Sequence, residues 1–246
     1  MRETQDNPLA WIDSRASRLE IEILDGLLRD VEGPRILEVG AGRGRLIPRL
    51  ARQGRTVVAV EPREEYVREA RTRGALYRDV HWCVADGHAL PFADASFTAV
   101  VLIRVLHLSA DPFALLCEVR RVLCRDGVLI ASFYPEPSWR TFDHGLWNAM
   151  RRPSSRASRS PTVRTEDRQM SPPRGRPRSD RSAAAIEGFV HDAGFRQEVR
   201  LGAGLEELTG WKLLPDGFIR GLRRAMPEAP IYPCWIAKFR SVRRDG

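Results

Sequence analysis

Lysine is nearly missing from this 246-residue chain. It occurs only at 212 and 238, so 38 of the 40 basic residues are arginine. Such a skew arises from genomic nucleotide composition as readily as from anion recognition, and alone it excludes neither. Long apolar runs are also lacking. The longest strings, such as "TAVVLI", are far shorter than the roughly 20 residues needed to cross a bilayer, and no membrane contact is expected. The first twenty residues carry charges throughout and hold no secretory apolar stretch. Cysteine is scarce: the four, at 83, 117, 124 and 234, form no C-x-x-C pair and have no His or Cys at zinc-ligand spacing, so no metal site is expected. A disulfide framework is not expected either, and the reducing cytoplasm is the expected compartment.

What is present is enough apolar residue, 43%, for one full core, and a single domain is expected. The net charge of +8 is concentrated in one place. Residues 151–181 hold ten arginines against Glu166, Asp167 and Asp180, a local surplus of seven positive charges. The same stretch is dense in Ser and Pro and poor in apolar side chains, which predicts an insertion that does not pack. It admits two readings: a solvated loop, or the electrostatic footprint of a nucleic acid or other polyanion. The solvated loop is favoured because no aromatic residues interleave the arginines.

Periodicity predicts helix over 8–31, where Leu9, Ile12, Leu19, Ile23, Leu24 and Leu27 recur near helical spacing. "RILEVG" reads as a strand, "GRLIPRLARQ" as a helix and "TVVAVE" as a strand. Pro62 stands where a first helical residue needs no amide, opening "PREEYVREARTR". "DVHWCVAD" and "FTAVVLI" read as strands. "DPFALLCEVRRVL" reads as a helix with Asp111 as its N-cap and Gly127 beyond its end, and "GVLIASFY" as a fifth strand. After an interruption, "SAAAIEGFVHDAGF" reads as helix, and "FRQEVRL" and "YPCWIAKF" as strands, with an insertion over 202–231 containing a short helix near Phe218–Arg224. Alternating strands and helices predict a parallel sheet covered on both faces, with ligands bound beyond the carboxyl ends of the strands.

The glycines of "GAGRGR" fall at 40, 42 and 44. The dinucleotide fingerprint G-x-G-x-x-G would need its third glycine at 45, which is arginine, so the pattern disfavours a pyrophosphate cradle. Glu61, at the end of the second strand, can accept from both hydroxyls of a ribose; Asp86, after the third, can accept from an adenine amine beside the free amide of the following residue. These residues point to a nucleoside, and Glu61 alone would equally serve a nicotinamide dinucleotide.

"LEVGAGRG", Glu61 and "DGHALPFADASFTAVVLIRVLHLSADP" together resemble the class I S-adenosylmethionine-dependent methyltransferases, and "EVRRVLCRDGVLIASF" is similar to that family's following helix and strand. The likeness covers residues 35–134. It extends weakly to "DAGFRQEVRL" and to "WIDSRASRLE", which is similar to a lid segment. Thr98 stands where the family usually has aspartate, and Cys124-Arg125-Asp126 replaces Lys-Pro-Gly before Gly127.

The resemblance implies an α/β, Rossmann-like, doubly wound and mostly parallel seven-stranded sheet with an antiparallel edge strand and inserted cap segments. One domain is implied: a lid over 8–31, a core over 35–134, a basic insertion over 135–185 and a C-terminal part over 186–246. S-adenosylmethionine would be held by Glu38, Gly40, Ala41, Gly42, Gly44, Glu61, Pro62, Asp86, Gly87, Ile103 and Arg104, with Glu38 either binding the amino-acid end of the cofactor or only tying down the glycine loop. His107 is the candidate general base, since an imidazole titrates near neutrality, or else a structural histidine behind the cofactor. Tyr134, Trp139 and His144, with Arg140 and Trp147 nearby, would border a small-molecule acceptor. A nucleic-acid or protein methyltransferase using 151–181, and a non-catalytic nucleotide module or nicotinamide dehydrogenase, stay open at this point. The oligomeric state is not legible in the sequence.

Overall fold

A computed structural model of the protein describes residues 15–52, 54–74, 77–134, 182–204, 213–227, 232 and 234–242. Seven strands form one sheet: β1 (Arg35–Val39), β2 (Thr56–Val60), β3 (Val80–Cys83), β4 (Phe97–Leu102), β5 (Leu123–Phe133), β6 (Phe195–Ala203) and β7 (Cys234–Ser241). Six helices accompany them: α1 (Arg15–Leu28), α2 (Ile47–Leu50), α3 (Glu64–Gly74), α4 (Pro112–Val122), α5 (Ala183–Asp192) and α6 (Asp216–Ala225). The strand order is β3-β2-β1-β4-β5-β7-β6. The pairs among β1 to β5 are parallel, and β7 runs antiparallel to both β5 and β6, between them at that end of the sheet.

The β-branched and aliphatic runs become strands because both sheet faces are buried. Successive residues alternate between two apolar layers: Leu37, Val100, Leu102, Leu129 and Ala131 join one core with α4 and α5, while Ile36, Ala99, Val101, Val128 and Ile130 join the other with α1 and α2. Leu19, Ile23, Leu24 and Leu27 of α1 are all buried, as their spacing predicts; Leu9 and Ile12 lie outside the described residues. Asp111 caps α4 by accepting from the Ala114 amide at 2.9 Å, and Pro112 follows as its first residue.

Three local expectations are corrected. The helix after the glycine turn is a single turn, Ile47–Leu50, because residues 40–44 pass through three positive-φ conformations and enter the helix late. Pro62 precedes α3 instead of opening it: the Arg63 amide goes to the Glu61 carboxylate, and helix begins at Glu64. β5 begins at Leu123, directly after α4, and passes through Asp126 at φ +58° before Gly127. Among the described residues no helix is long and apolar enough to cross a membrane.

Candidate active site

β1 ends at Val39 and the chain turns at once, with φ of 73° at Gly40, 56° at Gly42 and 80° at Gly44. These left-handed conformations favour glycine. The amides of Gly40 and Ala41 both donate to the Val60 carbonyl, at 2.8 and 3.0 Å, which lays the turn over the end of β2. A Cβ on Gly40 would stand 2.6 Å from Val105 Cγ2, and one on Gly44 2.9 Å from the Trp82 ring, whereas a Cβ on Gly42 would meet nothing within 4 Å. Of the three turn glycines, Gly40 and Gly44 leave room for the protein's own side chains and Gly42 borders open space.

Glu61, the residue after β2, is buried. Its Oε2 accepts from the Gly42 amide at 2.9 Å, and its Oε1 from Arg63 Nε at 2.8 Å and the Arg63 amide at 3.3 Å. Pro62, between them, is exposed. The Arg63 and Arg43 guanidinium groups both lie over the Tyr66 ring, at 3.8 and 4.1 Å from its centre, and Arg43 also pairs with Glu69 at 2.6 Å. Such stacking holds the two guanidinium groups against one aromatic ring.

Glu38 lies beneath the turn, buried, and its Oε2 has no hydrogen-bond partner. Burial raises its carboxyl pKa, the Arg45 guanidinium opposes this and the Glu61 charge adds to it, leaving the group at about 8. Arg45 is itself buried, paired with Glu20 of α1 at 2.6 Å and bonded to Ser17 Oγ at 3.2 Å. The other Glu20 oxygen accepts from Arg104 Nε at 3.2 Å, and the Arg104 amide donates to the buried Ser132 hydroxyl at 2.7 Å. α1 is thereby tied to both the glycine turn and the tip of β4. Sequence reading missed Glu20, Arg45 and Ser132; a glutamate beside the apolar stripe of α1 was the only signal.

Asp86 follows β3, the neighbour of β2, and is exposed. Its Oδ1 accepts from the His88 amide at 2.9 Å and from His88 Nδ1 at 2.7 Å. Partial burial would raise its pKa, but the two His88 hydrogen bonds outweigh this and hold the carboxyl below its ordinary range. Gly87 is packed so that a Cβ would lie 2.8 Å from both Val39 and Leu115. The rest of "LPFAD" is docked on α4. Glu118 accepts from the Leu90 amide at 3.0 Å. Arg121 donates to the Leu90 and Phe92 carbonyls at 2.9 and 2.6 Å and to Asp94 at 2.9 Å, and pairs with Glu118 at 2.8 Å. His88, Glu118 and Arg121 were not singled out by sequence reading, the last because one arginine among 38 carries no signal.

Ile103 and Arg104 follow β4, the latter at φ +63°. His107, farther along the same loop, meets Tyr134 at the end of β5 edge to face, with ring centres 4.8 Å apart. Trp139, Arg140, His144, Trp147 and the 151–181 segment lie outside the described residues. Among the described residues no group of three or more His, Cys, Asp or Glu side chains is placed to hold a metal ion.

A mostly parallel sheet with a glycine turn after its first strand and acids after the next two defines a Rossmann-like α/β fold. The chain matches the methyltransferase domain family over residues 37–131. It is 30% identical over 105 residues to a demethylmenaquinone methyltransferase of Tropheryma whipplei, covering 43% of this chain and 44% of that protein. It is 29% identical over 191 residues to an uncharacterized protein of Mycobacterium tuberculosis, covering 76% and 56%. The chain thus spans about half the length of these curated relatives. In fold it resembles the N-methyltransferase NodS of Bradyrhizobium japonicum, solved in complex with S-adenosyl-L-homocysteine, with a TM-score of 0.62 at 14% identity over 96% and 92% of the two chains.

Proposed function

We propose that the protein transfers a methyl group from S-adenosylmethionine to a small-molecule acceptor. The observation that carries this reading is the Gly42–Glu61 hydrogen bond, which joins the glycine turn and the ribose acid in one unit, with Asp86 following the adjacent strand. Two further features fit such a cofactor: the Glu38 oxygen without a hydrogen-bond partner, and the open space beside Gly42.

Glu38 would accept from the ammonium of the amino-acid end, and the turn from Gly40 to Gly44, with Ala41, would lie along it. An ionised carboxylate offers about four acceptor sites, and Glu61 already uses three, so two ribose hydroxyls bind as the half-exposed Arg63 withdraws. Pro62 would border the sugar, Asp86 and Gly87 the base, and Ile103 and Arg104 the opposite side. The bound cofactor supplies a methyl group activated by a sulfonium. The protein supplies orientation, which in favourable cases lowers a barrier by roughly 7 kcal/mol or more. His107, against Tyr134, takes the acceptor's proton, and Tyr134 borders the acceptor.

The quinone-directed activity named for the T. whipplei relative supports a small acceptor over a polymer. The test is incubation with S-adenosylmethionine carrying an isotopic methyl group and a fractionated cell extract. Label in the small-molecule fraction supports the reading. Label confined to RNA or protein would overturn the acceptor class, and turnover of a nicotinamide cofactor without methyl transfer would overturn the reaction.

A further inference from the structure

A chain of three hydrogen-bonded side chains joins the loop after β3 to the loop after β4, and two of them, His88 and Ser109, have no task in the proposed methyl transfer. Asp86 Oδ1 accepts twice from one residue, His88, through its backbone amide and its ring Nδ1, and His88 Nε2 stands 2.8 Å from Ser109 Oγ in the β4–α4 loop. A carboxylate can only accept, so Nδ1 carries the proton, and in the neutral ring Nε2 accepts from the Ser109 hydroxyl. Ser109 is buried and Asp86 is exposed, so the histidine links a fixed anchor to a carboxylate that would otherwise rotate freely. The order Asp–His–Ser is that of hydrolase triads, but the burial of Ser109 makes its hydroxyl an anchor instead of a nucleophile.

The second Asp86 oxygen, Oδ2, has no partner among the described residues. We propose that His88 is a positioning residue that makes the site selective for adenine: by holding Oδ1 from two sides it presents Oδ2, a pure acceptor, to the exocyclic amine of the base. A 6-oxo base would set an oxygen against that carboxylate, and a site built around one hydrogen bond rejects the analogue that cannot make it. The remainder of the loop is already fixed by Glu118 and Arg121, so the task left to His88 is the orientation of Asp86.

This inference rests on the adenosyl-cofactor reading. Its test is calorimetric binding of S-adenosylhomocysteine and of S-inosylhomocysteine, in which the amine is replaced by oxygen, to the wild-type protein, His88→Ala, His88→Asn and Ser109→Ala, each also followed by thermal unfolding. The wild type should prefer the adenosyl ligand by about tenfold or more, as one well-made hydrogen bond to a charged group provides. His88→Ala should lose most of that preference by weakening only the adenosyl ligand. His88→Asn, which keeps a side-chain donor for Asp86, should recover much of it, and Ser109→Ala should lower it by about twofold or more. Equal weakening of both ligands, or an unchanged preference in His88→Ala and Ser109→Ala, would overturn the proposal while leaving the cofactor reading standing. A wild-type protein that does not bind S-adenosylhomocysteine would overturn both.

Discussion

The Gly42 amide donates to Glu61 Oε2 across 2.9 Å, joining residues 19 positions apart at the ends of neighbouring strands. One carboxylate thus ties the glycine turn to the end of β2. Glu61→Ala should lower the affinity for S-adenosylhomocysteine by about 1.5–3 kcal/mol, the range for hydrogen bonds to a charged group, and speed hydrogen exchange at the Gly42 amide. Calorimetry and exchange mass spectrometry read the two effects. An unchanged affinity would remove Glu61 from the site.

The buried Glu38 carboxyl, raised to about 8, gives stability a defined pH dependence. A carboxyl raised in the folded state holds its proton there after the unfolded chain has released it, so its contribution is complete below the ordinary value of 4.5 and is lost as pH rises from there through about 8. Glu38→Gln should flatten that fall in urea titrations. Because an ammonium ligand favours the ionised form, cofactor binding should release a proton below pH 8 and tighten as pH rises towards it; calorimetry in buffers of different ionisation heat measures that proton.

Glu20 and Arg45 form a buried pair at 2.6 Å. Removing one partner leaves the other charged and desolvated, so Glu20→Ala should cost about 3–5 kcal/mol in unfolding free energy. The double change Glu20→Leu with Arg45→Met should recover much of that loss. Equal losses in the single and double variants would mean that the pair is not what Glu20 contributes.

The glycine turn separates folding from binding. Gly42→Ala places a methyl group in open space at φ +56°, so its stability cost should be about 1–2 kcal/mol, from the backbone alone. Gly40→Ala adds an overlap with Val105, worth a further 1–3 kcal/mol or so. Gly42→Ala should nevertheless weaken cofactor binding at least as much as its neighbour does. Normal binding by a folded Gly42→Ala protein would place the ligand elsewhere.

The core strands were legible because parallel strands buried on both faces leave continuous apolar runs, and "RILEV", "TVVAV" and "FTAVVL" are such runs. Asp111–Pro112 marked the start of α4 by a local rule that packing did not disturb. The misses share a cause. "GRLIPRLARQ" has helical composition, yet the positive φ at Gly44 delays the helix to Ile47; Pro62 suits a first helical position, yet the Glu61 carboxylate takes the Arg63 amide. In both places a nearby contact outweighs composition. Glu20, Arg45 and Arg121 act through partners distant in sequence, and among so many arginines nothing singled out the latter two.

The most direct test of the central claim is a calorimetric titration of the purified protein with S-adenosylhomocysteine and, separately, with NAD. The account predicts saturable one-to-one binding of the first, abolished or strongly weakened in Glu61→Ala, and no binding of the second. Binding of NAD with none of S-adenosylhomocysteine would contradict it.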